Sequence, residues 1–480
     1  MSYLTPKNRF VNRMKHIHMI GIGGSGMSGI AEVLHNLGFS VSGSDIQQSE
    51  VVNRLKNMGI QVNIGHHAQN INGANVVVIS SAIKQSNPEL ISAREQNKAI
   101  LSRAEMLSEL MRFKIGIAVA GTHGKTTTTS LVASVLAAGH LDPTFVIGGL
   151  LNSAGTNAAL GTSEYLVAEA DESDGSFQLL QPILAVVTNI DADHMQTFDG
   201  KFSLLKQAFE NFLHHLPFYG VAVLCIDDPH VSELAHSLVR PTITYGLSEN
   251  AMIRAINIKH HKQHMTFDVM QEENILAENI TINLPGLHNV QNALAAIAIG
   301  SELGVNASDI KQGLKQFAGI GRRFNLTNNL ICQDGTFTMV DDYAHHPTEL
   351  TAAINACRGG WQNNRLVVVF QPHRYSRTRD LFDEFTESLN HADLLIITDV
   401  FAAGEAQLSG YSSADLSRSI RTRGKIDPIY IADIENLMLD LNDIIQNDDL
   451  VLFVGAGSIG SISKLIVENN GLIINEEKQQ

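Results

Sequence analysis

The sequence predicts an α/β chain of three domains: a Rossmann-like first domain, a central domain of the P-loop ATPase type with a mostly parallel sheet, and a Rossmann-like α/β domain at the C-terminus. Three observations predict it. A glycine-rich turn at residues 21–29 and another at residues 121–124 each follow an apolar strand-like run and lead into helical spacing, and beyond residue 321 apolar runs alternate with helical patterns, each run emptying into polar residues. The 480 residues leave room for about three domains. We set them at 1–112, 113–320 and 321–480.

Composition narrows the class. With 44% hydrophobic and 17% charged residues the chain reads as a folded globular protein, not a disordered or fibrous one. A net charge of -15 argues against nucleic acid as a partner, because phosphate backbones recruit clustered lysine and arginine. Any anionic ligand must then be held by local donors. The three cysteines, Cys225, Cys332 and Cys357, are odd in number and far apart, which predicts neither a disulfide framework nor a thiolate zinc site and fits a reducing cytoplasm. No apolar run approaches the ~18 residues of a membrane span, and no signal-peptide core precedes His16. Monomer and homodimer both stay open.

In the first domain a strand from Ile17 meets Gly21, Gly23, Ser25 and Gly26, then helical spacing through Ile30, Val33, Leu34 and Leu37. Asp45 closes a second strand, Phe39 to Ser44, where a ribose-binding carboxylate belongs. The pattern signals a diphosphate-plus-ribose site; NAD, FAD or a nucleotide sugar would each be served, and tight helix-strand packing with no ligand is the plain alternative. A further strand, Val76 to Ile79, empties into Ser80 and Ser81, and Asn87-Pro88-Glu89 opens a helix.

The central domain opens on the apolar run Gly116 to Ala120, the loop Gly121-Thr122-His123-Gly124-Lys125-Thr126-Thr127 and a helical pattern through Leu131, Val132, Val135 and Leu136. Glycines let backbone N–H groups converge on phosphate oxygens, a helix N-terminus adds positive potential, Lys125 reaches terminal phosphates and a threonine hydroxyl can ligate Mg2+. The usual spacing would put glycine at Val119, so this loop is a shortened variant. The strand Tyr165 to Ala170 carries Glu169 into Asp171, Glu172 and Asp174, an oxygen-rich cluster that suits Mg2+ or is simply a solvated acidic turn. The strand Ile183 to Ile190 ends at Asp191, Asp193 and His194, so Glu169 and His194 are expected on neighbouring strand tips above the phosphate loop. His194 reads as a ligand or as a structural histidine. Strands are expected around Val221–Cys225, Thr242–Tyr245 and Met265–Val269; Pro285 and Gly286 then break the chain, and His288, Asn289 and Asn292 lead into an alanine-rich helix, Ala293 to Ile299. Asparagine amides there offer paired donors and acceptors to a base, or cap a core helix.

A linker at Gly319-Ile320-Gly321 precedes Arg322 and Arg323. In the third domain Thr338 to Val340 ends at Asp341, Asp342, Tyr343 and His345; Leu366 to Phe370 ends at Gln371, His373, Arg374 and Arg377; and Leu394 to Thr398 ends at Asp399. His373, Arg374 and Arg377 form an anion-binding candidate, since guanidinium forks match carboxylate or phosphate, or else a basic surface turn. The glycine run Gly455 to Gly460 lacks an acid at ribose spacing and reads as structural.

Two nucleotide-type sites in one chain suggest that ATP activates a group carried on a nucleotide handle. A dehydrogenase would leave Lys125 idle, and a non-catalytic nucleotide sensor would have no use for Glu169 and His194. Together, Gly121 to Thr127, Glu169 before Asp171-Glu172-Ser173-Asp174, Thr188-Asn189-Ile190 leading to Asp193-His194, His288-Asn289-Val290-Gln291-Asn292 and Asp342-Tyr343-Ala344-His345-His346-Pro347 resemble the Mur ligases of peptidoglycan synthesis, in that family's domain order. Residues 21–29 and 372–378 resemble its alanine-adding branch.

The resemblance implies an ATP- and Mg2+-dependent amide ligase acting on the small molecules UDP-N-acetylmuramate and L-alanine through an acyl phosphate. By carry-over, Lys125 acts at the β and γ phosphates, with Gly121, Thr122, His123, Gly124 and Thr127 around them. Thr126 and Glu169 hold one Mg2+ and His194 a second. Asn289 and Asn292 contact adenine, with Arg322 or Arg323 and Asp342 completing the ATP site. Gly23, Ser25, Gly26, Asp45, Ser80 and Ser81 face UDP, and Tyr343, His345, His373, Arg374 and Arg377 line the muramoyl and alanine side. Where several relatives carry a carbamoylated lysine, Phe209 stands here with Lys206 nearby, so no such modification is expected.

Overall fold

The computed structural model describes residues 15–80, 82–152 and 156–473. The strands form three sheets, and the inner ones, such as His16–Ile20, Ile115–Ala120, Leu184–Val187, Leu366–Phe370 and Leu450–Val454, are short apolar runs buried on both faces, as parallel strands covered by helices require. The first sheet holds β1 (His16–Ile20), β2 (Ser40–Asp45), β3 (Gln61–Ile64), β4 (Val76–Ile79) and β5 (Ala99–Ser102) in the order β3-β2-β1-β4-β5, all parallel. Its helices are α1 (Ser25–Asn36), α2 (Glu50–Asn57), α3 (Pro88–Glu95) and α4 (Arg103–Met111). Strand order reverses between β1 and β4. The turns after these two strands therefore flank the crevice at the sheet's carboxyl edge where ligands bind in open α/β folds.

The central sheet has ten strands: β6 (Ile115–Ala120), β7 (Thr144–Leu151), β8 (Thr156–Ala159), β9 (Tyr165–Glu169), β10 (Leu184–Val187), β11 (Val221–Cys225), β12 (Thr242–Gly246), β13 (Ile253–His260), β14 (Met265–Gln271) and β15 (Asn274–Ile282). Their order is β15-β14-β13-β12-β11-β10-β6-β9-β7-β8. Helix α5 (Lys125–Ala138) follows β6. One expectation is corrected here: β9 and β10 are not neighbours but lie on either side of β6, so the segments ending at Glu169 and His194 flank the phosphate loop's strand from opposite sides. Strands β7, β8, β13 and β15 were not expected. β8 is only Thr-Asn-Ala-Ala, and β15 alternates weakly, so neither carries an apolar run. The alanine-rich helix begins at Leu287, not Ala293, because Gly286 at φ +98° turns the chain directly into it.

The third sheet holds β16 (Asn325–Cys332), β17 (Gly335–Asp342), β18 (Leu366–Phe370), β19 (Leu394–Thr398), β20 (Ile429–Ile431) and β21 (Leu450–Val454) in the order β16-β17-β21-β18-β19-β20, parallel except for the β16–β17 hairpin.

By packing, the described residues fall into two compact units. One comprises those within 15–257, 267–281 and 291–318, and the other those within 258–266, 282–290 and 319–473. The first and central sheets share a unit because their cores are continuous: Met27 and Ile30 of α1 belong to the same apolar cluster as Val146 of β7 and Ala158 of β8. Gly29 lets this happen, since a Cβ there would lie 3.0 Å from the Ala158 methyl. No described helix is long and apolar enough to cross a membrane.

Candidate functional site

The loop after β6 is shaped by two glycines at which a side chain has no room. Gly121 has φ +131°, and a Cβ there would lie 2.0 Å from Thr188 Oγ1; Gly124 has φ +81°, and a Cβ would lie 2.6 Å from Asn292 Oδ1. Between them His123 is pinned by the tip of β10. Its N–H donates to Asn189 Oδ1 at 2.8 Å, its carbonyl accepts from Thr188 Oγ1 at 2.6 Å and Asn189 Nδ2 at 3.0 Å, and its Nε2 lies 3.0 Å from Asp191 Oδ2. Thr122 Oγ1 accepts from the Asp191 N–H at 2.9 Å. The backbone of the loop is thus set before α5 begins.

Lys125 opens that helix. Its Nζ lies 2.7 Å from Gly121 O, 2.9 Å from Thr122 O and 2.8 Å from Glu172 Oε2. Burial pulls its pKa down, but the carboxylates of Glu172, Asp171 and Glu169 outweigh burial and hold it above the ordinary value. Burial pushes the Glu172 carboxyl up to about 7, against the pull of Lys125. Thr126 Oγ1 donates to the Glu169 carboxylate at 3.0 and 3.2 Å, and the Gly148 N–H donates to it at 2.9 Å. Thr127 is buried in the first turn of α5.

His194 follows β10 in a left-handed backbone conformation, φ +53°. Its N–H donates to Asp193 Oδ1 at 2.8 Å and its Nε2 lies 3.6 Å from Asp193 Oδ2. Asn292 Oδ1 accepts from Thr128 Oγ1 at 3.1 Å, which places the amide against the phosphate loop, whereas Asn289 Nδ2 donates to Pro285 O at 2.8 Å.

At the carboxyl edge of the first sheet, the Gly21 and Ile22 N–H groups both donate to Ser44 O, at 2.8 and 3.1 Å. The Gly23 N–H donates to Asp45 Oδ2 at 2.8 Å, so the expected ribose carboxylate also ties down the glycine loop. Ser80 Cβ lies 3.3 Å from where a Cβ on Gly21 would stand, and Gly26 faces Arg103. Ser25 is the first residue of α1, and Ser81 lies outside the described residues. Beneath this edge the fully buried Glu89 accepts from Ser44 Oγ at 2.6 Å, Asn70 Nδ2 at 2.6 Å and the His67 N–H at 3.2 Å, with His18 Nε2 at 3.3 Å.

In the C-terminal unit the predicted residues form one connected run. The guanidinium carbons of Arg322 and Arg323 lie 5.1 and 5.4 Å from the Tyr343 ring centre; Tyr343 meets His345 edge-on at 5.3 Å; His345 meets His373 at 5.9 Å; and Arg377 Nη1 lies 3.4 Å from His373 Nδ1. Burial, with His345, Arg377 and Arg374 beside it, lowers the His373 imidazole to about 4 and so keeps it neutral near pH 7. Asp342 accepts from the Phe324 and Ala344 N–H groups, both at 2.8 Å, and burial pushes it up to about 6 despite Arg323. Arg322 Nη2 donates to Gly455 O at 2.5 Å, which gives the glycine run at residues 455–460 a bracing role. Arg374 takes φ +69°, its N–H donating to Phe401 O at 2.9 Å.

Several contributors had no role assigned from sequence. Glu172 and Asp191 stood inside strings already singled out, but nothing told which acid would meet Lys125 or His123. Glu349, whose carboxylate accepts from the His345 N–H at 3.0 Å, lies four residues on at the start of a helix, a spacing that could have flagged it. Phe401, stacked on His373 at 5.5 Å, and Arg103 carried no local signal. Phe209 is fully buried with its ring 5.0 Å from Phe177, while Lys206 pairs on the exterior with Glu233.

Comparison with known proteins extends this picture. The Mur ligase family catalytic-domain model matches residues 16–115, the Mur ligase middle domain 119–300 and the Mur ligase glutamate ligase domain 322–457. Among solved structures the chain is similar to UDP-N-acetylmuramate-alanine ligase from Thermotoga maritima, at 28% identity and TM-score 0.77, covering 95% of this chain and 98% of that one. It is also similar to UDP-N-acetylmuramate:L-alanyl-gamma-D-glutamyl-meso-diaminopimelate ligase from Neisseria meningitides, at 29% identity and TM-score 0.58, covering 64% of this chain and 100% of that one. It shares the fold of a murein peptide ligase from Psychrobacter arcticus, at 22% identity and TM-score 0.68, covering 96% and 100%. With all three family domains matched in order along a chain of three α/β sheets, this protein belongs to the Mur ligase family.

Proposed function

We propose that the protein joins UDP-N-acetylmuramate to L-alanine at the expense of ATP, giving UDP-N-acetylmuramoyl-L-alanine, ADP and phosphate. The observation that carries the reading is the buried lysine of the phosphate loop, held charged by three carboxylates, in a chain 28% identical over nearly its whole length to UDP-N-acetylmuramate-alanine ligase from Thermotoga maritima. The residues fit a magnesium nucleotide. The loop is a cradle that a Cβ at Gly121 or Gly124 would fill, and the paired oxygens of Thr126 and Glu169 are hard donors of the kind Mg2+ takes. His194 would complete the metal set. Bound Mg2+ would neutralise charge on the phosphates and polarise the transferred group.

The steps assigned to the chain follow. The muramoyl carboxylate oxygen attacks the γ-phosphorus and the bond to ADP breaks, with the ammonium of Lys125 offsetting negative charge on the transferred group. The alanine amine then attacks the acyl carbon; phosphate leaves, the nitrogen loses a proton, and an amide remains. Arg374 and Arg377 orient anionic groups, and the neutral His373, whose Nδ1 faces the Arg377 donor, is left with Nε2–H to donate to a substrate oxygen. Asp45 and the loop of Gly23, Ser25 and Gly26 hold the UDP end. The reading puts the enzyme in the cytoplasm, where ATP is.

A second reading, with a peptide replacing alanine, is favoured by the 29% identity to the Neisseria ligase. Phosphate release measured with ATP and UDP-N-acetylmuramate against a panel of L-alanine, glycine, L-serine and L-alanyl-γ-D-glutamyl-meso-diaminopimelate decides between them. Release dependent on L-alanine supports the first reading, release only with the tripeptide supports the second, and release with neither rejects both.

A further inference from the structure

Residues 21–29 carry no cationic side chain, yet a UDP-linked ligand at this loop would bring two or more negative charges. The structure supplies one. Arg103 is the first residue of α4 and directly follows β5, so it stands at the same carboxyl edge as the loop after β1, Asp45 at the end of β2 and Ser80 after β4. Its backbone is fixed by a capping box: Ser102 Oγ accepts from the Glu105 N–H at 3.2 Å, and the Glu105 carboxylate accepts from the Ser102 N–H at 2.6 Å.

The side chain reaches across to α1. A Cβ on Gly26 would lie 3.1 Å from both Cδ and Nη1 of Arg103, so the guanidinium occupies the space this glycine leaves open. Its other end points at the central sheet, with Nη2 3.5 Å from Asp171 Oδ2 just beyond β9. Asp171 in turn is among the carboxylates that keep Lys125 charged. One arginine therefore stands between the glycine loop of the first sheet and the acidic strand tip beside the phosphate loop. Among the described residues the long Asp171 contact is its one ion pair, although a guanidinium carries five N–H donors in a fork matched to phosphate and carboxylate oxygens.

We propose that Arg103 is a substrate-positioning residue: its guanidinium, lying against Gly26 and held toward the central sheet by Asp171, binds an anionic group of the UDP-linked substrate at the start of α1. The inference rests on the functional reading above. The anion is either the diphosphate or the muramoyl carboxylate, and both offer the paired oxygens an arginine fork takes.

Calorimetric titration of the full-length protein and of Arg103→Gln and Arg103→Lys, with UDP, with UDP-N-acetylmuramate and with a non-hydrolysable ATP analogue, tests this. For Arg103→Gln the affinity for UDP-N-acetylmuramate should fall at least about tenfold, with Arg103→Lys in between and ATP-analogue affinity unchanged. In turnover, the KM for the UDP substrate should rise while that for ATP stays. An equal loss with UDP identifies the diphosphate, and a loss confined to UDP-N-acetylmuramate identifies the carboxylate. An Arg103→Gln variant with the wild-type melting temperature and both UDP affinities within twofold of wild type overturns the proposal. Wild-type protein that binds neither UDP nor UDP-N-acetylmuramate instead overturns the reading beneath it.

Discussion

The Lys125 ammonium and the buried Glu172 carboxylate form a largely enclosed pair, Nζ to Oε2 2.8 Å, with Glu172 only 1% exposed. The N-terminus of α5 by itself would repel an ammonium, so it is Glu172, with the Gly121 and Thr122 carbonyl oxygens, that holds the lysine in place. Lys125→Ala should reduce amino-acid-dependent phosphate release by at least about 10²–10³-fold, the scale for loss of one donor aimed at developing charge. UDP affinity should be unchanged. Turnover near the wild-type rate in a stopped phosphate assay would remove Lys125 from the reaction.

Gly124 forms the N-cap of α5 in a left-handed conformation, φ +81°, with the Asn292 amide 2.6 Å from where a Cβ would stand. Gly124→Ala therefore strains the backbone, by about 1–2 kcal/mol, and displaces a side chain that bonds Thr128. The expected result is weaker ATP binding in a titration with little change in UDP binding; equal ATP affinity would show that the loop tolerates a side chain.

Burial alone would raise the Glu89 carboxyl, but hydrogen bonds from His18, Ser44 and Asn70 outweigh it and hold the group at about 2. A carboxylate with a depressed folded pKa stabilises the fold above its unfolded value near 4.5, and that stabilisation is lost as pH falls from there toward 2. The amount is about 3 kcal/mol at neutral pH. Glu89→Gln should lower stability at pH 7 and flatten the acid limb of urea-unfolding free energy between these two pH values. An acid limb identical to wild type would disprove the assignment.

Phe209 is fully buried against Phe177 and Phe212's neighbourhood in the helix Phe202–His214. Phe209→Ala should cost about 3–5 kcal/mol, the range for truncating a buried aromatic, measured by chemical denaturation. A loss under about 1 kcal/mol would instead mean that the site collapses around the gap.

Features encoded within a few residues were legible in the sequence. The turns at Gly121 and Gly124, the entry to α5, the ends of β11 and β19 and the placing of Asp45 at the tip of β2 follow from backbone freedom, apolar periodicity and strand-to-helix punctuation, none of which needs a distant partner. The joint appearance of the loop, the acidic strand tip and the histidine strings was enough to point to the family.

Tertiary structure decided the rest, because partnership across the chain depends on which strands pair. Sequence order put β9 and β10 side by side, yet β6 inserts between them and moves His194 and Glu169 to opposite flanks of the loop. Lys125 chose Glu172, 47 residues away, over three other acids in the same segment, and Arg103, packed on Gly26 within the first sheet's layer, reached Asp171 only because two sheets share one core. Local propensity can place a charged side chain at a strand tip; only the packing of neighbouring strands and helices determines what it faces.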